Sequence, residues 1–471
     1  MSWKGTVFLL LILAALGGYV YWTEIRGQAD REEADRKKDR VFDFKEDDVE
    51  KIDVFTKMDE SAPVVIERAG ADKKDWRISA PLQTEADKSS VDGFLSSLVY
   101  LTSQRDVDEN PKDLAQYGLK DPRHYVSLWL KGKKEPLSLR IGEKSTIGNS
   151  YYAMRSDAKK VMILDSSFES SLSKGLFDFR DKNVFPIEDE KARRIEVRRE
   201  KDSVVLEKSA DGTWRLREPL DVVGSKSTVE DVLRELKNAQ ATKFVAEEVT
   251  DGSLYGFDKP QVLVKVDFEG TAMPAELTIG KKGDVEADYY AHASMKKPVV
   301  MVNEYLFKSL TKESAEFREK HAVTFDHYEV QKLSLVYPDK TFDLLKSGED
   351  AWKLDAPEKA DADASQVDNV LYAVDGLEAK EFVDKPDKNQ AAYGLDKPRA
   401  KIQIWQKGDK EPREVWIGNA DAARGLTYIK NPKLGNILLV ETTQTEELFP
   451  KLDDLKKKPE NAAVEEATKD E

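Results

Sequence analysis

The sequence predicts an α+β chain in which one N-terminal transmembrane helix is followed by three tandem homologous domains. Each domain is expected to be a mostly antiparallel sheet with two or three helices. Three observations lead to this prediction: a phrase repeated at a fixed spacing, an alternation of apolar residues within each copy, and a long uncharged run near the amino terminus. The phrase reads YGLKDPRH, YGFDKPQV and YGLDKPRA, and its tyrosines Tyr117, Tyr255 and Tyr393 are 138 residues apart.

Length and composition set the first limits. The chain has 471 residues, of which 40% are hydrophobic and 35% charged, and its net charge is −15. This length fits about three ordinary domains. The acidic balance argues against nucleic-acid binding, which requires a basic surface. Because cysteine is absent, disulfides, lipoprotein attachment, cysteine nucleophiles and cysteine metal sites are all excluded.

The amino terminus contains a candidate membrane span. The 18 residues from Gly5 to Trp22 carry no charge, and at ~1.5 Å per residue they could just cross a hydrocarbon core of roughly 30 Å. The run ends in Tyr19, Tyr21 and Trp22, and such aromatic residues are typical of a membrane interface. This favours an uncleaved anchor over a signal peptide, whose cleavage site at Ala15-Leu16-Gly17 would be poor.

Charge alone leaves the orientation of this span open. Lys4 precedes it, and a charged stalk follows in which bases alternate with acids; the bases are Arg26, Arg31, Arg36, Lys37, Lys38 and Arg40. Counting bases would place the domains in the cytoplasm. The predicted organisation is an anchor (about 5–22) and stalk in residues 1–40, repeats at 41–185, 186–325 and 326–458, and a disordered acidic tail at 459–471.

The period of 138 residues extends far beyond the phrase. Five further columns keep it: Trp76, Trp214 and Trp352; Pro81, Pro219 and Pro357; Pro122, Pro260 and Pro398; Gly142, Gly280 and Gly418; and Tyr152, Tyr290 and Tyr428. A unit this long exceeds the repeat of a solenoid. It has the size of a small domain with its own core.

Each copy is predicted to begin with two strands and an amphipathic helix. The strands contain KIDVF and WRISAP in the first copy and the matching segments in the others. The helix places apolar residues at i, i+3, i+4 and i+7, a single buried stripe; they are Val91, Phe94, Leu95 and Leu98, then Val229, Val232, Leu233 and Leu236, then Val367, Val370, Leu371 and Val374. The predicted helix caps are Ser89, Ser227 and Ser365, each with an acid three residues later.

The repeated phrase itself is interpreted as a joint. Gly118, Gly256 and Gly394 stand where a short helical turn would end in the left-handed conformation that glycine adopts most easily. The proline that follows prevents the turn from continuing. The acid and base of the phrase also exchange places, as in Lys120-Asp121 against Asp258-Lys259, and a catalytic pair would not tolerate this exchange.

Four more strands and a closing helix complete each copy. Val126 and Leu128 with their counterparts alternate with polar or aromatic residues, which indicates a half-buried strand. Segments such as LSLRIG, YYAM and VMILD give the other three. The closing helix ends in Phe179-Arg180 and in Phe317-Arg318, and the third copy lacks this ending. These pairs either join consecutive domains or mark a helix end that the third copy has lost.

No constellation of catalytic, cofactor-binding or metal-ligating residues stands out, so none is predicted and the chain is not expected to be an enzyme. The four histidines, His124, His292, His321 and His327, do not recur between copies and lack the spacing of a helical zinc site. KADADASQVD lacks the glycine and final glutamate of a calcium loop. Trp129 and Trp405 lie on the strand face opposite the aliphatic one and are expected to cover a helix or cap a sheet edge rather than to form a binding surface.

The ordered set of these motifs resembles the bacterial domain-of-unknown-function 4340 family, in three copies over about residues 41–459. The resemblance implies a bacterial inner-membrane protein with a single span, its domains periplasmic, and an association with ABC transporters of the gliding-motility type. The leading hypothesis is therefore a non-enzymatic, membrane-anchored envelope protein whose three domains form a binding or scaffolding arm for an ABC-type transport system. The alternatives are a lipid-, glycan- or peptidoglycan-binding protein and, third, an enzyme with one degenerate site.

Overall fold

The computed structural model describes residues 39–57, 62–146, 148–283, 287–384 and 390–458. The predicted membrane span, most of the stalk and the predicted tail lie outside the described residues. Among those described, no helix is long and apolar enough to cross a membrane. The chain divides into two compact units, Met1–Lys182 and Asn183–Glu471. The first unit holds one sheet and the second holds two.

Within the described residues, each domain contains one sheet of nine antiparallel strands. The first domain has β1 (Val49–Thr56), β2 (Val64–Ala69), β3 (Asp75–Ala80), β4 (Thr84–Glu85), β5 (Ser103–Asp108), β6 (His124–Leu130), β7 (Leu137–Lys144), β8 (Ser150–Arg155) and β9 (Val161–Asp165). The second has β10 (Ala192–Arg199), β11 (Ser203–Lys208), β12 (Trp214–Glu218), β13 (Val222–Val223), β14 (Lys243–Ala246), β15 (Val262–Phe268), β16 (Ala275–Lys282), β17 (Tyr289–Ala293) and β18 (Val299–Val302). The third has β19 (Val330–Val336), β20 (Thr341–Lys346), β21 (Trp352–Ala356), β22 (Ala360–Asp361), β23 (Glu381–Val383), β24 (Ala400–Gln406), β25 (Arg413–Asp421), β26 (Leu426–Lys430) and β27 (Ile437–Glu441).

In the part of the chain that the structure describes, helices are few and short. The α-helices are α1 (Lys88–Val99), α2 (Glu169–Leu172), α3 (Leu176–Phe179), α4 (Lys226–Lys237), α5 (Glu304–Leu310) and α6 (Ala364–Asp375). The 3-10 turns are η1 (Glu46–Asp48), η2 (Ala115–Tyr117), η3 (Ser166–Phe168), η4 (Asp189–Lys191), η5 (Gly252–Tyr255), η6 (Ser314–Phe317), η7 (His327–Glu329), η8 (Gln390–Tyr393) and η9 (Thr442–Leu448).

The three sheets share one topology. In the first domain the order is β4-β3-β2-β1-β6-β7-β8-β9-β5, and the other two domains repeat it strand for strand. Two meanders, β1 to β4 and β6 to β9, meet where β1 pairs with β6. The chain leaves β4 at one edge, forms α1 and returns as β5 at the opposite edge. The helix therefore connects the two edges, and its apolar stripe packs against both meanders.

The core of each domain lies between this helix and the sheet. In the first domain Val91, Phe94, Leu95 and Leu98 of α1 belong to one buried cluster with strand residues such as Ile52. The equivalent stripes of α4 and α6 are buried in the same way. The predicted amphipathic helix is thus confirmed in all three copies, since the period of 3.6 residues identifies the buried face.

The structure corrects the predicted helix caps. The N-caps are Asp87, Ser225 and Asp363, two residues before the predicted serines. Their side chains accept hydrogen bonds from backbone N–H groups in the first helical turn, such as Ser90 N at 2.7 Å from Asp87. Serine at the second helical position resembles a cap in sequence, but the residue with the extended backbone that a cap requires lies two positions earlier.

The structure also contains strands that the sequence pattern did not predict. Three strands rather than two precede each helix, and a two-residue strand (β4, β13 or β22) follows them. The edge strands β5, β14 and β23 were missed as well. β5 reads SQRDVD and is almost entirely exposed, so it shows no apolar alternation, and edge strands rich in charge resist unwanted pairing.

The repeated phrase is a joint, as predicted, and it is made by three of the repeated columns together. Gly118, Gly256 and Gly394 end the turns η2, η5 and η8 with φ of 68°, 79° and 66°. A Cβ on Gly142, Gly280 or Gly418 would overlap the carbonyl oxygen of the phrase tyrosine. The ring of each phrase tyrosine also contacts the ring of a second repeated tyrosine. The centroids are 5.0, 5.4 and 5.1 Å apart for Tyr117–Tyr152, Tyr255–Tyr290 and Tyr393–Tyr428. The phrase fixes a turn against the sheet.

Candidate functional site

The region beside the repeated tryptophan is the candidate site in each domain, and in the second domain it holds a cavity. We call this region the Trp groove; its floor is Trp76, Trp214 or Trp352, and its walls are the 3-10 turn before the first strand and the central helix. The three tryptophans are buried, with exposed fractions of 3%, 3% and 5%. Because the floor recurs and the fold positions it identically, differences between the grooves come from their wall residues.

In the first domain the ring of the tryptophan is covered by an arginine. The Arg68 guanidinium lies 3.9 Å from the centre of the Trp76 ring. Arg68 also donates to the carbonyl oxygens of Glu46 and Val49 at 3.0 and 3.1 Å. The Trp76 indole donates to Asp92 at 2.9 Å. Partial burial alone would raise the pKa of Asp92, but hydrogen bonds from Lys88 and Trp76 outweigh it and lower that pKa, which keeps the carboxylate charged.

The groove of the second domain is open and charged. A cavity of about 250 Å³ is lined by Asp189, Glu190, Lys208, Trp214, Glu230, Leu233 and Arg234. Lys208 lies 5.7 Å from the centre of the Trp214 ring, too far to cover it as Arg68 covers Trp76. Lys237 of α4 pairs with Asp189, one of the lining residues, at 2.7 Å. Hydrogen bonding and the charge of Lys237 lower the pKa of Asp189.

The groove of the third domain is walled by aromatic residues. His327 replaces Asp189, and its ring stacks 4.5 Å from Tyr372 and 4.8 Å from Phe325. Asp375 takes the place of Lys237 and lies 3.5 Å from His327. The carboxylate of the pair is therefore on the helix in the third domain and on the 3-10 turn in the second. Tyr328 and Tyr372 are 88% and 65% exposed. We call these two residues the tyrosine patch.

Helix α4 carries a second cavity in the second domain. It has a volume of about 300 Å³ and is lined by Asp231, Arg234, Glu235, Tyr305, Lys308, Ser309 and Lys312. Tyr305 is 66% exposed. Arg234 lines both this cavity and the Trp groove, so the two openings adjoin along one helix.

The polar residue at the end of the first strand also differs between domains. It is Thr56 in the first domain, Arg199 in the second and Tyr337 in the third. In the first domain the buried His124 lies 2.9 Å from the Thr56 hydroxyl through Nδ1. Burial, together with the charge of Arg123, lowers the pKa of His124. In the second domain Arg199 lines a cavity of about 360 Å³. In the third, the buried Tyr337 hydroxyl donates to the Leu448 carbonyl oxygen at 2.7 Å, and burial raises its pKa far above the usual range.

The other histidines and outer-face tryptophans occupy separate places. His292 contacts the Pro298 carbonyl oxygen and His321 contacts Glu319, both through Nδ1 at 3.2 Å. Trp129 and Trp405 each lie under a lysine of the first strand, Lys51 at 4.4 Å and Lys332 at 5.0 Å. Asp267, in the corresponding place, faces Arg194 at 3.6 Å. Among the described residues no group of three or more metal-ligating side chains comes together.

The Phe-Arg pair of the second domain connects it to the third. Phe317 lies in the core of its own domain, and its carbonyl oxygen accepts from the helix cap Ser225. Arg318 is 6% exposed and reaches the third domain, where it pairs with Asp384 at 2.6 Å and stacks 3.7 Å above the Phe382 ring. The joining role inferred from the sequence is confirmed for this pair. We call these contacts the seam.

The third copy retains the same ending in altered form, which corrects the prediction that it lacks one. Leu455 lies in its core, and its carbonyl oxygen accepts from the cap Asp363, as Phe317 does with Ser225. Lys456 forms the bridge to Ala362 that Arg318 forms to Gly224. The Lys456 ammonium pairs with Glu358 and Asp453 of its own domain. The sequence FPKLDDLKKKP hid this ending because leucine and lysine replace phenylalanine and arginine.

Comparison with known proteins identifies the family. A family model described as "Domain of unknown function (DUF4340)" matches residues 76–219, 214–351 and 352–461. Each match begins at or near a tryptophan strand, and the first two run into the opening strands of the next sheet. No curated protein and no solved structure matches the chain. The chain therefore belongs to the DUF4340 family, of which it holds three tandem copies.

Proposed function

We propose that the chain is a membrane-anchored, non-enzymatic envelope protein whose domains form an arm that binds a protein partner through the tyrosine patch. One observation carries the proposal: the buried tryptophan recurs in all three domains, but among the described residues only the third domain has exposed tyrosines on the neighbouring 3-10 turn and central helix. Tyrosine is enriched at the centres of protein interfaces because it buries a large apolar ring and keeps a polar end.

The seam supports the mechanical part of this proposal. Arg318 ties the second and third domains together within one compact unit, so a partner held by the third domain would also be held relative to the second. The choice of an ABC-type transport system as partner, and of the bacterial inner membrane with periplasmic domains as location, comes from the family resemblance. The uncharged run at residues 5–22 supports the anchor.

Crosslinking in intact cells, followed by mild-detergent purification and mass spectrometry, tests the proposal. We expect transporter subunits to be recovered with the wild type and to be lost from a Tyr328→Ala/Tyr372→Ala variant. Tyr100→Ala is the matched control, because Tyr100 has the same exposed fraction as Tyr372, 65%, but lies in the first domain. Equal recovery with all three proteins would contradict a role for the tyrosine patch, and recovery of no protein partner would contradict the arm itself.

A glycan ligand is the second candidate function, favoured by the cavity beside Tyr305. An exposed ring bordered by Asp231, Arg234 and Glu235 combines an apolar face for a sugar ring with charged groups that can bind pairs of hydroxyls. Soluble peptidoglycan fragments titrated into the full chain in detergent should then bind the wild type. Tyr305→Ala should abolish this binding, and Tyr372→Ala should leave it intact.

A further inference from the structure

The seventh residue of the repeated phrase changes in one domain only. It is Arg123 in the first domain, Gln261 in the second and Arg399 in the third. In each case its N–H group donates to the carbonyl oxygen of the isoleucine before the repeated glycine, at 2.8, 2.9 and 2.7 Å. The three side chains therefore leave the backbone at the same place in the fold.

In the first and third domains this arginine lies beside an aromatic ring of its own domain. The Arg123 guanidinium is 5.6 Å from the centre of the Tyr151 ring, and its Nη2 is 3.6 Å from a carboxylate oxygen of Glu169. The Arg399 guanidinium is 4.7 Å from the centre of the Phe449 ring. Rings and carboxylates suit this group because it is flat and permanently charged.

The second domain keeps the aromatic wall but has no arginine in the phrase. A cavity of about 360 Å³ is found there, and Gln261 and Phe307 both line it. The Phe307 ring stacks on Tyr289, the counterpart of Tyr151, with centroids 4.0 Å apart. Because glutamine is shorter than arginine and uncharged, it leaves open a space where the other two domains place a guanidinium.

Arg199 lines the same cavity but does not replace the missing arginine. Its Nε and Nη2 donate to the Asp202 carboxylate at 2.6 and 2.8 Å, and its Nη1 donates to the Lys312 carbonyl oxygen. Tyr337, at the same strand position in the third domain, likewise donates to a backbone carbonyl oxygen. The third domain contains both Tyr337 and Arg399, so the two positions are separate. Arg199 therefore belongs to the wall of the cavity.

The charges around the cavity favour a cationic ligand. Three of the lining residues are acids and two are bases; they are Glu200, Asp202 and Glu313, and Arg199 and Lys201. Asp202 is occupied by Arg199, whereas the Glu200 carboxylate has no ion-pair partner in the part of the chain that the structure describes. A cation in the cavity can therefore meet both an unpaired carboxylate and an aromatic ring.

We propose that this cavity binds a guanidinium group from outside the chain, the side chain of an arginine. The bound group would lie over the Phe307 ring as Arg399 lies over Phe449, and would pair with Glu200 as Arg123 pairs with an acid of the first domain. Free arginine and an arginine of a partner protein share this chemistry. The cavity belongs to the second domain and the tyrosine patch to the third, so the inference is independent of the proposed function.

Calorimetric titration of N-acetyl-L-argininamide into the full chain in detergent tests the site. We expect this probe to bind at least tenfold more tightly than its lysine analogue, which lacks the planar fork, and its citrulline analogue, which lacks the charge. Free L-arginine is titrated in parallel; tighter binding of the amide indicates an arginine within a polypeptide, and tighter binding of L-arginine indicates the free amino acid. Absence of binding, or equal binding of the citrulline analogue, would overturn the proposal.

Two variants locate the bound group. Gln261→Arg supplies a guanidinium from within, as the other two domains do, and should weaken binding of the probe at least tenfold without lowering the thermal stability measured by circular dichroism. Gln331→Arg, the same substitution at an exposed position of the third domain, should leave binding unchanged. Glu200 is exposed, so Glu200→Gln should fold normally and weaken binding about fivefold, the factor expected for one exposed ion pair. Equal binding to the wild type, Gln261→Arg and Glu200→Gln would contradict the assignment of this cavity.

Discussion

At the scale of single residues, the turn formed by the repeated phrase can approach the sheet only because glycines stand at the contact. Gly142 lies on β7 directly beneath the carbonyl oxygen of Tyr117, and a Cβ there would overlap it. Gly118 is constrained twice. Its φ is positive, and a Cβ at this position would lie only 2.7 Å from the backbone nitrogen of Glu143. These glycines recur because the turn must approach the strand closely, and no ligand is needed to explain them.

A matched pair of glycine substitutions tests this reading. Gly142→Ala should lower the free energy of unfolding of the first domain by about 2–3 kcal/mol, since overlap in a packed site must be relieved by moving the turn. Gly93, on the exposed side of α1, has open space around it, so Gly93→Ala should be neutral or stabilising by up to about 1 kcal/mol. Urea denaturation of each variant gives both values. Equal effects would show that close approach is not the constraint.

His124 makes the stability of the first domain depend on pH. Its pKa is lowered by burial, so the folded state binds this proton less tightly than the unfolded chain, in which a histidine has a pKa of about 6.5. Stability should therefore fall as the pH drops through this value, by at most about 1.4 kcal/mol per pH unit from this group. His124→Val, which installs the residue found at the same place in the second domain, should flatten this part of the profile. A slope that stays the same would assign it to other groups.

At the scale of elements, the helix caps show how local geometry selects one residue among similar neighbours. Asp363 accepts from Ser365 N and Gln366 N at the start of α6. Ser365, predicted as the cap, lies inside the helix. Asp363→Ala should destabilise the third domain by about 1 kcal/mol because two backbone donors lose their acceptor.

Ser365→Ala is the control for this substitution. It should leave the free energy of unfolding within about 0.5 kcal/mol of the wild type, because alanine is the better helix former at an interior position. If the two substitutions had reversed effects, the predicted cap would be the real one. Thermal unfolding followed by circular dichroism separates the two cases.

At the scale of the whole molecule, the seam determines whether neighbouring domains unfold together. Arg318 is buried and pairs with Asp384 across the junction. A double-mutant cycle of Arg318→Ala and Asp384→Ala should give a coupling of about 1–3 kcal/mol. Calorimetry should show the second and third domains unfolding in one transition in the wild type and in two in Arg318→Ala.

Arg318→Lys distinguishes charge from stacking at the seam. Lysine keeps the pair with Asp384 but loses the planar contact with Phe382. Arg318→Lys should therefore weaken the coupling between the two domains less than Arg318→Ala does. A single transition for every variant would mean that the apolar contacts of Val223 with the third core, rather than the ion pair, couple the two domains.

The sequence by itself determined the number of domains, the helix stripe, the joint and most of the inner strands. Each of these depends on local pattern: a period of 138 residues, a period of 3.6 or of two, or a glycine followed by proline. Repetition strengthened each prediction, because every pattern could be examined in three copies. The family resemblance drawn from the motifs is confirmed by the matching family model.

Only the tertiary structure decided which residues form the grooves and the seam. Arg68 and Trp76 meet across two strands, and Arg318 meets Asp384 from another domain. Such contacts join residues that are distant in sequence or chosen by register, and their members vary between copies. Edge strands escaped prediction for a related reason: their side chains face water, so no apolar alternation marks them. Local periodicity encodes burial, whereas a site depends on which surfaces the fold brings together.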